Sequence, residues 1–475
     1  MSTHHHFVAA ERIIFYSFLV FLFWLPLPLG SNRPWAWSLM EIYSFFMLIS
    51  LIWIHRESVV ERLRPYRIPI LLFSIFVVWV WVQQLSLPVS VIDLVSPNSH
   101  ALFKSAGVGD GMTISVDSTQ TKISLLKSVS YLCVFISCLL LITTPSRAKQ
   151  VMLCFLLAGV WQATYGSFEA LSGLSRSLVF DLPVKKIATG TFVYRNHYAN
   201  FLVLCLAMSV GYLVSTLETR SLPTNRARLR SILTTLLNGK ALVRICLAIM
   251  VIALVMSRSR MGNSSFFIAM TITGLLGLYL IKNKTRGLTF LIISMFIIDI
   301  FILSAWFGLD KVQERLVATS LEQESRDEVV RDALPLLGDF GVTGSGMGSF
   351  YGVFPSYQSE NIRLFYDHAH NDYLQFAIEA GIPASALLFT LVTMCLYFAV
   401  RAMRVRADSI MRGVAFGCTM AILGVAIHMT VDFPLQAPAN ATYFTTILAL
   451  SLLCTKVKRE SRQRRSKRHT AGGTL

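Results

Sequence analysis

Long apolar runs alternate with short polar segments along almost the whole chain. Runs of about 20 apolar residues have the length that crosses the hydrocarbon core of a bilayer as an α-helix. The period-two alternation of outer-membrane barrel strands is absent. The pattern therefore predicts an all-α polytopic membrane protein with about twelve transmembrane helices. The predicted spans cover residues 13–30, 35–54, 68–87, 123–143, 150–171, 197–217, 241–257, 264–281, 287–307, 373–400, 411–431 and 437–455.

The distribution of charge supports this topology. The chain is 54% hydrophobic and 15% charged, with a formal net charge of +17. Most Lys and Arg residues lie in every second connection between the predicted spans and in the tail 456–475, which is typical of cytoplasmic segments. Both termini are therefore predicted in the cytoplasm, and the positive charge requires no nucleic-acid partner. The basic tail is expected to contact anionic lipid headgroups.

The opposite side carries the long connections. The longest, 308–372, lies between predicted helices 9 and 10 and is predicted to be partly helical. Within it, the stretch from Glu322 to Leu337 places four apolar side chains on one helical face. This helix is expected either to lie on the membrane surface or to pack on another loop. The four side chains are those of Val329, Val330, Ala333 and Leu336.

The densest polar cluster stands where this long loop meets the tenth predicted span, at Asp367-His368-Ala369-His370-Asn371-Asp372. Polar groups at a membrane boundary are candidate functional residues. The imidazole of His370 can accept or donate a proton between pH 5 and 8, and the flanking carboxylates can orient it or raise its pKa. Alternatively, His370 caps the helix or contacts headgroups. The two histidines also resemble half of a Zn²⁺ or Mn²⁺ site, but no other predicted outer segment completes it, so no metal is predicted.

Arginines form a second set of candidates on the same predicted side. Arg258 and Arg260 stand at the end of a predicted span, where a charge requires water or an anionic partner. A guanidinium group binds phosphate oxygens in pairs and stays protonated, although both residues are also suited to anchoring at the membrane surface. Arg326 and Arg331 are alternatively solvated charges that pair with acidic neighbours on their helix. The outer arginines are Arg195, Arg258, Arg260, Arg315, Arg326, Arg331 and Arg363.

Two more polar segments lie at predicted span starts. One contains Asn196 and His197, and the other is DFPLQAPAN from Asp432 to Asn440. Each alone is more typical of a helix boundary. A third set, Asp372, Gln375 and Glu379, shares one helical face and is expected to face a cavity or a partner.

Several familiar catalytic motifs are missing from the sequence. There is no phosphate-binding P-loop, no GxSxG, no HExxH and no DxD pair. Transferases that use nucleotide sugars usually need acidic ligands for a metal. Arginines would have to neutralise a diphosphate here, which favours a donor held on a lipid.

Four motifs in order resemble the bacterial O-antigen ligase and O-antigen polymerase superfamily, the Wzy-type membrane glycan transferases. They are GTFVYRNHYANFL from Gly190, MSRSRMG with Arg260, SRDEVVRDAL with Arg326 followed by GVTGSGMGSF, and His370-Asn371 followed after nine residues by Gly381. The last motif usually has a second glycine three residues later, and Ala384 stands there. The resemblance covers about Gly190 to Ala384 and divides the chain into N-terminal helices (1–185), a ligase/polymerase-like domain (186–455, with loop 308–372) and the tail (456–475).

The resemblance implies a metal-independent, inverting glycan transferase without a cofactor in the bacterial inner membrane. Its donor would be an undecaprenyl-diphosphate-linked glycan, used on the periplasmic face in O-antigen, lipopolysaccharide or exopolysaccharide biosynthesis. The acceptor would be a second lipid-linked repeat or a lipid A core sugar, and other envelope polysaccharide assembly proteins are further partners. The implied catalytic residues are His370, Arg260 and Arg326. The expected substrate-binding residues are Arg258, Arg331, Arg195, Asn196, His197, Asn371, Asp367 and Glu379.

Two other functions fit parts of the pattern. A transporter or flippase of lipid-linked glycan explains twelve spans and intramembrane acids, but transporters place their sites near the bilayer midplane. A non-catalytic scaffold of an envelope assembly complex is the other alternative. Within the transferase class the sequence does not decide between polymerase and ligase; the resemblance of DFPLQAPAN to exopolysaccharide members slightly favours the polymerase or exopolysaccharide type.

Overall fold

The computed structural model describes residues 2–184, 186–216, 239–281, 289, 293–294, 327–360, 362 and 365–457. This part of the chain is helical, apart from turns, loops and one isolated antiparallel bridge between Arg176 and Pro183. The α-helices are α1 (Ser2–Trp24), α2 (Pro34–Ile54), α3 (Val59–Leu63), α4 (Arg67–Gln83), α5 (Val89–Val95), α6 (Pro97–Ser105), α7 (Ser118–Leu141), α8 (Pro145–Ser172), α9 (Arg195–Thr216), α10 (Gly239–Met256), α11 (Arg260–Leu280), α12 (Pro335–Phe340), α13 (Phe350–Val353), α14 (Asp372–Glu379), α15 (Ile382–Val405), α16 (Ser409–His428) and α17 (Pro438–Leu453). Short 3₁₀ helices cover Leu29–Ser31, Arg64–Tyr66, Phe354–Ser356 and Pro434–Gln436.

Within the described residues, eight helical stretches are long and apolar enough to cross a membrane. The described helices therefore agree with the predicted multi-pass helical membrane protein. Helices α1, α10 and α17 match three further predicted spans in position. The predicted span 287–307 lies outside the described residues except at 289 and 293–294, so the number twelve stays a prediction. The eight stretches are Pro34–Ile54, Val59–Gln83, Ser118–Leu141, Pro145–Ser172, Arg195–Thr216, Arg260–Leu280, Ile382–Val405 and Ser409–His428.

Helix α9 is the centre of the bundle. It is buried on nearly every side and packs against α8, α10, α11 and α16. Its approach to α16 depends on glycines, because a Cβ atom added at Gly211 would lie 2.4 Å from the carbonyl oxygen of Gly413 and 2.9 Å from the Cα of Gly417. Backbones that meet this closely hold the first turn of α9 in a fixed place beside the last turn of α16.

The predicted span 373–400 is wrong in one respect, because the helix is broken. Helix α14 ends at Glu379 and α15 begins at Ile382. Between them Gly381 has φ +83°, and a Cβ there would lie 2.5 Å from the carbonyl oxygen of Val342. The carbonyl groups freed at the break are bound by α4: Trp79 Nε1 donates to Ala380 O at 2.8 Å, and Gln83 Nε2 donates to Glu379 O at 2.8 Å.

The described part of the long loop packs into a small apolar cluster. Residues 327–333 are helical, and a new helix, α12, begins at Pro335. Val329, Ala333 and Leu336 are fully buried, as the predicted apolar face requires, while Val330 is partly buried. They pack in one cluster with loop aromatics and with Leu374 and Ile378 of α14, among others. The loop is thereby fixed to the helix that follows the His370 cluster. The part of the predicted helix before residue 327 lies outside the described residues.

Side chains near the helix termini contact each other at both ends of the bundle. At one, here called the basic end, Glu11 of α1 contacts Arg147 of α8 through Arg147 Nη1 and contacts His55, which follows α2, at 3.4 Å. At the same end Lys456 Nζ donates to Pro65 O at 2.9 Å. These contacts join segments that the charge pattern predicts to share one side.

Candidate active site

The ring of Phe433 is the meeting point of three chain segments at the other end of the bundle. His368 stacks on it with ring centroids 4.3 Å apart, and His370 meets it edge-on at 4.9 Å. From the start of α9, His197 meets it edge-on at 5.1 Å, and the preceding Tyr194 stacks on it at 5.3 Å. Three imidazoles and a phenol are therefore gathered around one aromatic side chain.

His370 is held in an uncommon backbone conformation. Its φ of +52° lies in the left-handed region, which a residue with a side chain occupies at a cost of about 1–3 kcal/mol. The next residue, Asn371, caps α14 by accepting a bond from Leu374 N at 3.0 Å, and donates to Thr430 O at 3.0 Å. The cap and the crosslink to the end of α16 fix the imidazole beside Phe433 and Tyr366, whose ring lies 5.7 Å away.

The segments at the starts of α9 and α17 form one hydrogen-bonded unit. The Asp432 carboxylate accepts from Asn196 Nδ2 and from Tyr194 Oη, the latter at 3.3 Å. His197 Nε2 lies 3.1 Å from the carbonyl oxygen of Phe433. Asn440 Nδ2 donates to His197 O at 3.0 Å. Two polar segments that sequence alone treats as separate helix boundaries are therefore one wall of the same site.

Asp372 joins this wall to α14. Its carboxylate accepts from Leu435 N and from Gln436 Nε2, each at 3.1 Å, and its own N–H lies 3.1 Å from Met429 O. The side chain is fully buried. Because burial disfavours the charged form, the pKa of Asp372 is raised to about 8.

The glycine-rich segment GVTGSGMGSF binds a carboxylate of the chain itself. Gly348 N and Phe350 N donate to the two oxygens of Glu379 at 2.9 and 3.2 Å, and Gln375 Nε2 donates at 3.0 Å. Asp372, Gln375 and Glu379 lie on one buried face of α14. Glu379, predicted to bind substrate, is fully buried and holds the glycine segment against α14, and burial raises its pKa to about 7.

Gln375 links that segment to the histidines. Its Nε2 lies 3.0 Å from His368 Nδ1, and its Oε1 accepts from Ala369 N at 3.2 Å. Burial lowers the pKa of His368, although the exposed Asp367 carboxylate, 4.0 Å away, acts in the opposite direction. The His368 imidazole is therefore neutral near pH 7 and suited to hydrogen bonding with substrate hydroxyls.

The two arginines of MSRSRMG flank the start of α11 and are exposed, while Ser257 and Ser259 are buried. Ser259 caps α11 by accepting from Gly262 N at 3.1 Å. The first turn of α11 lies directly against α9, because a Cβ at Gly262 would be 2.5 Å from Ala199 Cβ. Arg258 and Arg260 are thus placed beside the helix that begins with Arg195.

The other predicted arginines are less informative. Arg331 is 66% exposed and lies 3.8 Å from its neighbour Asp332. Arg315, Arg326 and Arg363 lie outside the described residues, so the structure does not place the predicted catalytic Arg326. Across the residues that are described, no group of three or more His, Cys, Asp and Glu is arranged to hold a metal ion.

Sequence reasoning missed the residue at the centre of the site and two ionisable residues inside predicted spans. Phe433 gave no signal, since an aromatic residue in an apolar chain is ordinary. His428 is fully buried at the end of α16, and neither ring nitrogen has a hydrogen-bond partner among the described residues. Lys127 of α7 lies 3.9 Å over the ring of Trp37. An ionisable residue inside an apolar run is itself a functional signal, and it could have identified both.

Residues 245–389 match the family model Wzy_C, described as O-antigen ligase. The matched segment contains MSRSRMG, the glycine-rich segment and His370-Asn371. The predicted resemblance to the O-antigen ligase and polymerase superfamily is therefore confirmed. No curated protein matches the chain.

Proposed function

We propose that this chain is a membrane glycosyltransferase that takes glycan from an undecaprenyl-diphosphate-linked donor at the periplasmic face of the bacterial inner membrane. The match to the O-antigen ligase family supports membrane glycan transfer. One observation carries the assignment of the site: three segments that are far apart in sequence converge on Phe433 with His370 among them. Transfer of a glycan to an acceptor hydroxyl requires a nearby group that takes the hydroxyl proton, and the imidazoles held around Phe433 can do so.

The reaction is a single displacement. The acceptor hydroxyl oxygen forms a bond to the anomeric carbon while the bond from that carbon to the diphosphate oxygen breaks. His370 takes the hydroxyl proton, and undecaprenyl diphosphate leaves with the bonding electron pair. The anomeric configuration inverts, because attack and departure occur on opposite faces of the sugar.

The arginines act on the leaving group. Arg260 and Arg326, assisted by Arg258 and Arg331, bind the diphosphate and stabilise its developing charge, since guanidinium groups stay protonated and bind phosphate oxygens in pairs. In this reaction no added metal is required. Arg195, Asn196, His197, Asn371 and Asp367 contact the sugars, and Glu379 acts indirectly by positioning the glycine-rich segment.

The place of the cluster in the fold favours a transferase over a carrier. His197 lies in the first turn of α9, His428 is the last residue of α16, and Asn440 lies in the first turn of α17. The site is thus built at helix ends, whereas transporters bind their substrates near the middle of the membrane.

Reconstitution with defined substrates tests this function. Purified protein in lipid nanodiscs receives lipid-linked glycan donor with a chelator and either a second lipid-linked repeat or lipid A core as acceptor. We expect glycan transfer to one acceptor, and the segment DFPLQAPAN favours the lipid-linked repeat. Absence of transfer to both acceptors, with wild-type protein that is folded, would contradict the proposal.

A further inference from the structure

A second feature lies at the basic end, far along the helices from the proposed active site. A groove of about 140 Å³ lies between the start of α4, the second half of α15 and the end of α17. Its rim carries three cations, Arg64, Arg67 and Lys456, and its wall is apolar, with Met394 and Phe398 among the lining residues.

The rim is organised and its cations reach the solvent. Arg64 and Arg67 are exposed, and they flank the buried Tyr66. Lys456 donates one N–H to Pro65 O at 2.9 Å and lies 5.2 Å from the centre of the Tyr66 ring. This leaves Lys456 with further N–H groups for an anion, while its contacts hold the ammonium at the mouth of the groove.

The apolar wall of the groove runs along the helix axes, the direction in which a lipid acyl chain lies. Phe398 and Met394 lie seven and eleven residues before the end of α15 at Val405, which is about 10 and 17 Å down the helix at 1.5 Å per residue. Ile68 of α4, also on the wall, is 54% exposed. The groove therefore presents positive charge at the helix ends and apolar surface that continues along the helices.

We infer that this groove binds an anionic glycerophospholipid, with its phosphodiester on the cationic rim and an acyl chain along the α15 wall. A phosphate group matches the forked donors of arginine, and basic pockets between membrane helices on the cytoplasmic side are suited to lipid headgroups. The chemistry requires both parts: a free phosphate fills only the rim, and a neutral lipid fills only the wall.

Native mass spectrometry of the full chain tests the inference. The protein is released from detergent with phosphatidylglycerol or with phosphatidylcholine of the same acyl chains. We expect retained phosphatidylglycerol on the wild type, and retention lower by about tenfold or more in the triple variant Arg64→Gln, Arg67→Gln and Lys456→Gln, since each cation contributes to anionic lipid binding.

A charge-matched variant provides the control. Arg56→Gln, Arg401→Gln and Arg404→Gln remove the same charge from exposed positions outside the groove and should leave retention unchanged. Equal loss in both triple variants, equal retention of the two lipids, or displacement of the lipid by millimolar inorganic phosphate alone would overturn the inference. The unfolding temperature of each variant shows whether it is folded, and none of these measurements depends on glycan transfer.

Discussion

The two ends of the bundle use polar residues in different ways. At the basic end, cations bind a carboxylate or backbone carbonyls and join neighbouring helix ends: Arg147 to Glu11, Lys456 to Pro65 O and Arg406 to Val457 O. At the other end, imidazoles, amides and buried carboxyls surround an aromatic ring. Arginine and lysine keep their charge in water, whereas imidazole exchanges a proton near neutral pH. The comparison shows that permanently charged side chains join the helices at the basic end, whereas the other end holds groups that can exchange protons and take part in a reaction.

Apart from loss of the His370 imidazole itself, the largest effect on this comparison should come from the ring at the centre of the site. In Phe433→Leu the imidazoles of His197, His368 and His370 lose their shared contact surface. Small displacements of reacting groups lower rates by up to about 10²-fold, so we expect a 10- to 100-fold lower transfer rate in the reconstituted assay. Phe365→Leu, at a ring that is 68% exposed in the loop before α14, is the control and should retain activity. Full activity of Phe433→Leu would show that the ring frame is dispensable.

The next effect concerns the carboxylate under the glycine-rich segment. Glu379→Gln turns an N–H₂ group toward donors that the carboxylate now accepts from, which should cost about 1–3 kcal/mol. Thermal unfolding of the purified variant should occur at a lower temperature, and activity should fall in proportion to folded protein. The exposed Glu360→Gln is the matched control. A stable but inactive Glu379→Gln would instead assign this carboxylate to the chemistry.

A smaller effect is expected from pH. The folded-state pKa of His368 is lowered from an unfolded value of about 6.5, so below that pH the unfolded chain binds more protons. Stability should then decrease as pH falls from about 6.5 toward 5, and His368→Gln should flatten this decrease in thermal unfolding curves. The raised pKa of Asp372 has the opposite effect on the free energy of unfolding: its contribution to protein stability decreases as pH rises toward 8. The difference between wild type and variant therefore isolates the imidazole, and identical pH curves would contradict the burial of neutral His368.

The smallest effect should be at the basic end. Glu11→Gln weakens the contacts to Arg147 and His55, but Glu11 and Arg147 are partly exposed and Arg147 also donates to Leu141 O at 2.6 Å. We expect a loss of about 1 kcal/mol or less in unfolding free energy and an unchanged transfer rate per folded molecule. A large loss of transfer in folded Glu11→Gln protein would break the separation of roles between the two ends.

The positions of the helices were accessible from sequence because apolar length is a local property. The break at Gly381 was missed, although Gly381 and Pro383 are residues that typically follow one helix and begin the next, whereas its carbonyl partners Trp79 and Gln83 lie about 300 residues earlier in the chain. Only the tertiary fold shows which side chains bind the carbonyl groups freed at this break.

The candidate site was predictable in part for the same reason. His370 and Asn371 stand in a recognisable motif, and their place beside a helix start is confirmed. The position of His370 next to Asn196 and Asp432 depends on the packing of α9 against α16, and neither segment of the sequence shows it alone. The role of the glycine-rich segment as a ligand for Glu379 likewise depends on a contact across 31 residues.

The most direct test of the account is the transfer rate of His370→Asn. Asparagine tolerates the left-handed backbone at this position but has no imidazole to accept a proton. In the reconstituted assay we predict at least about 10²-fold slower transfer with an unfolding temperature close to that of the wild type, while His100→Asn, at a histidine of α6, retains the wild-type rate. A wild-type rate for His370→Asn would contradict the claim that this imidazole accepts the proton of the acceptor hydroxyl.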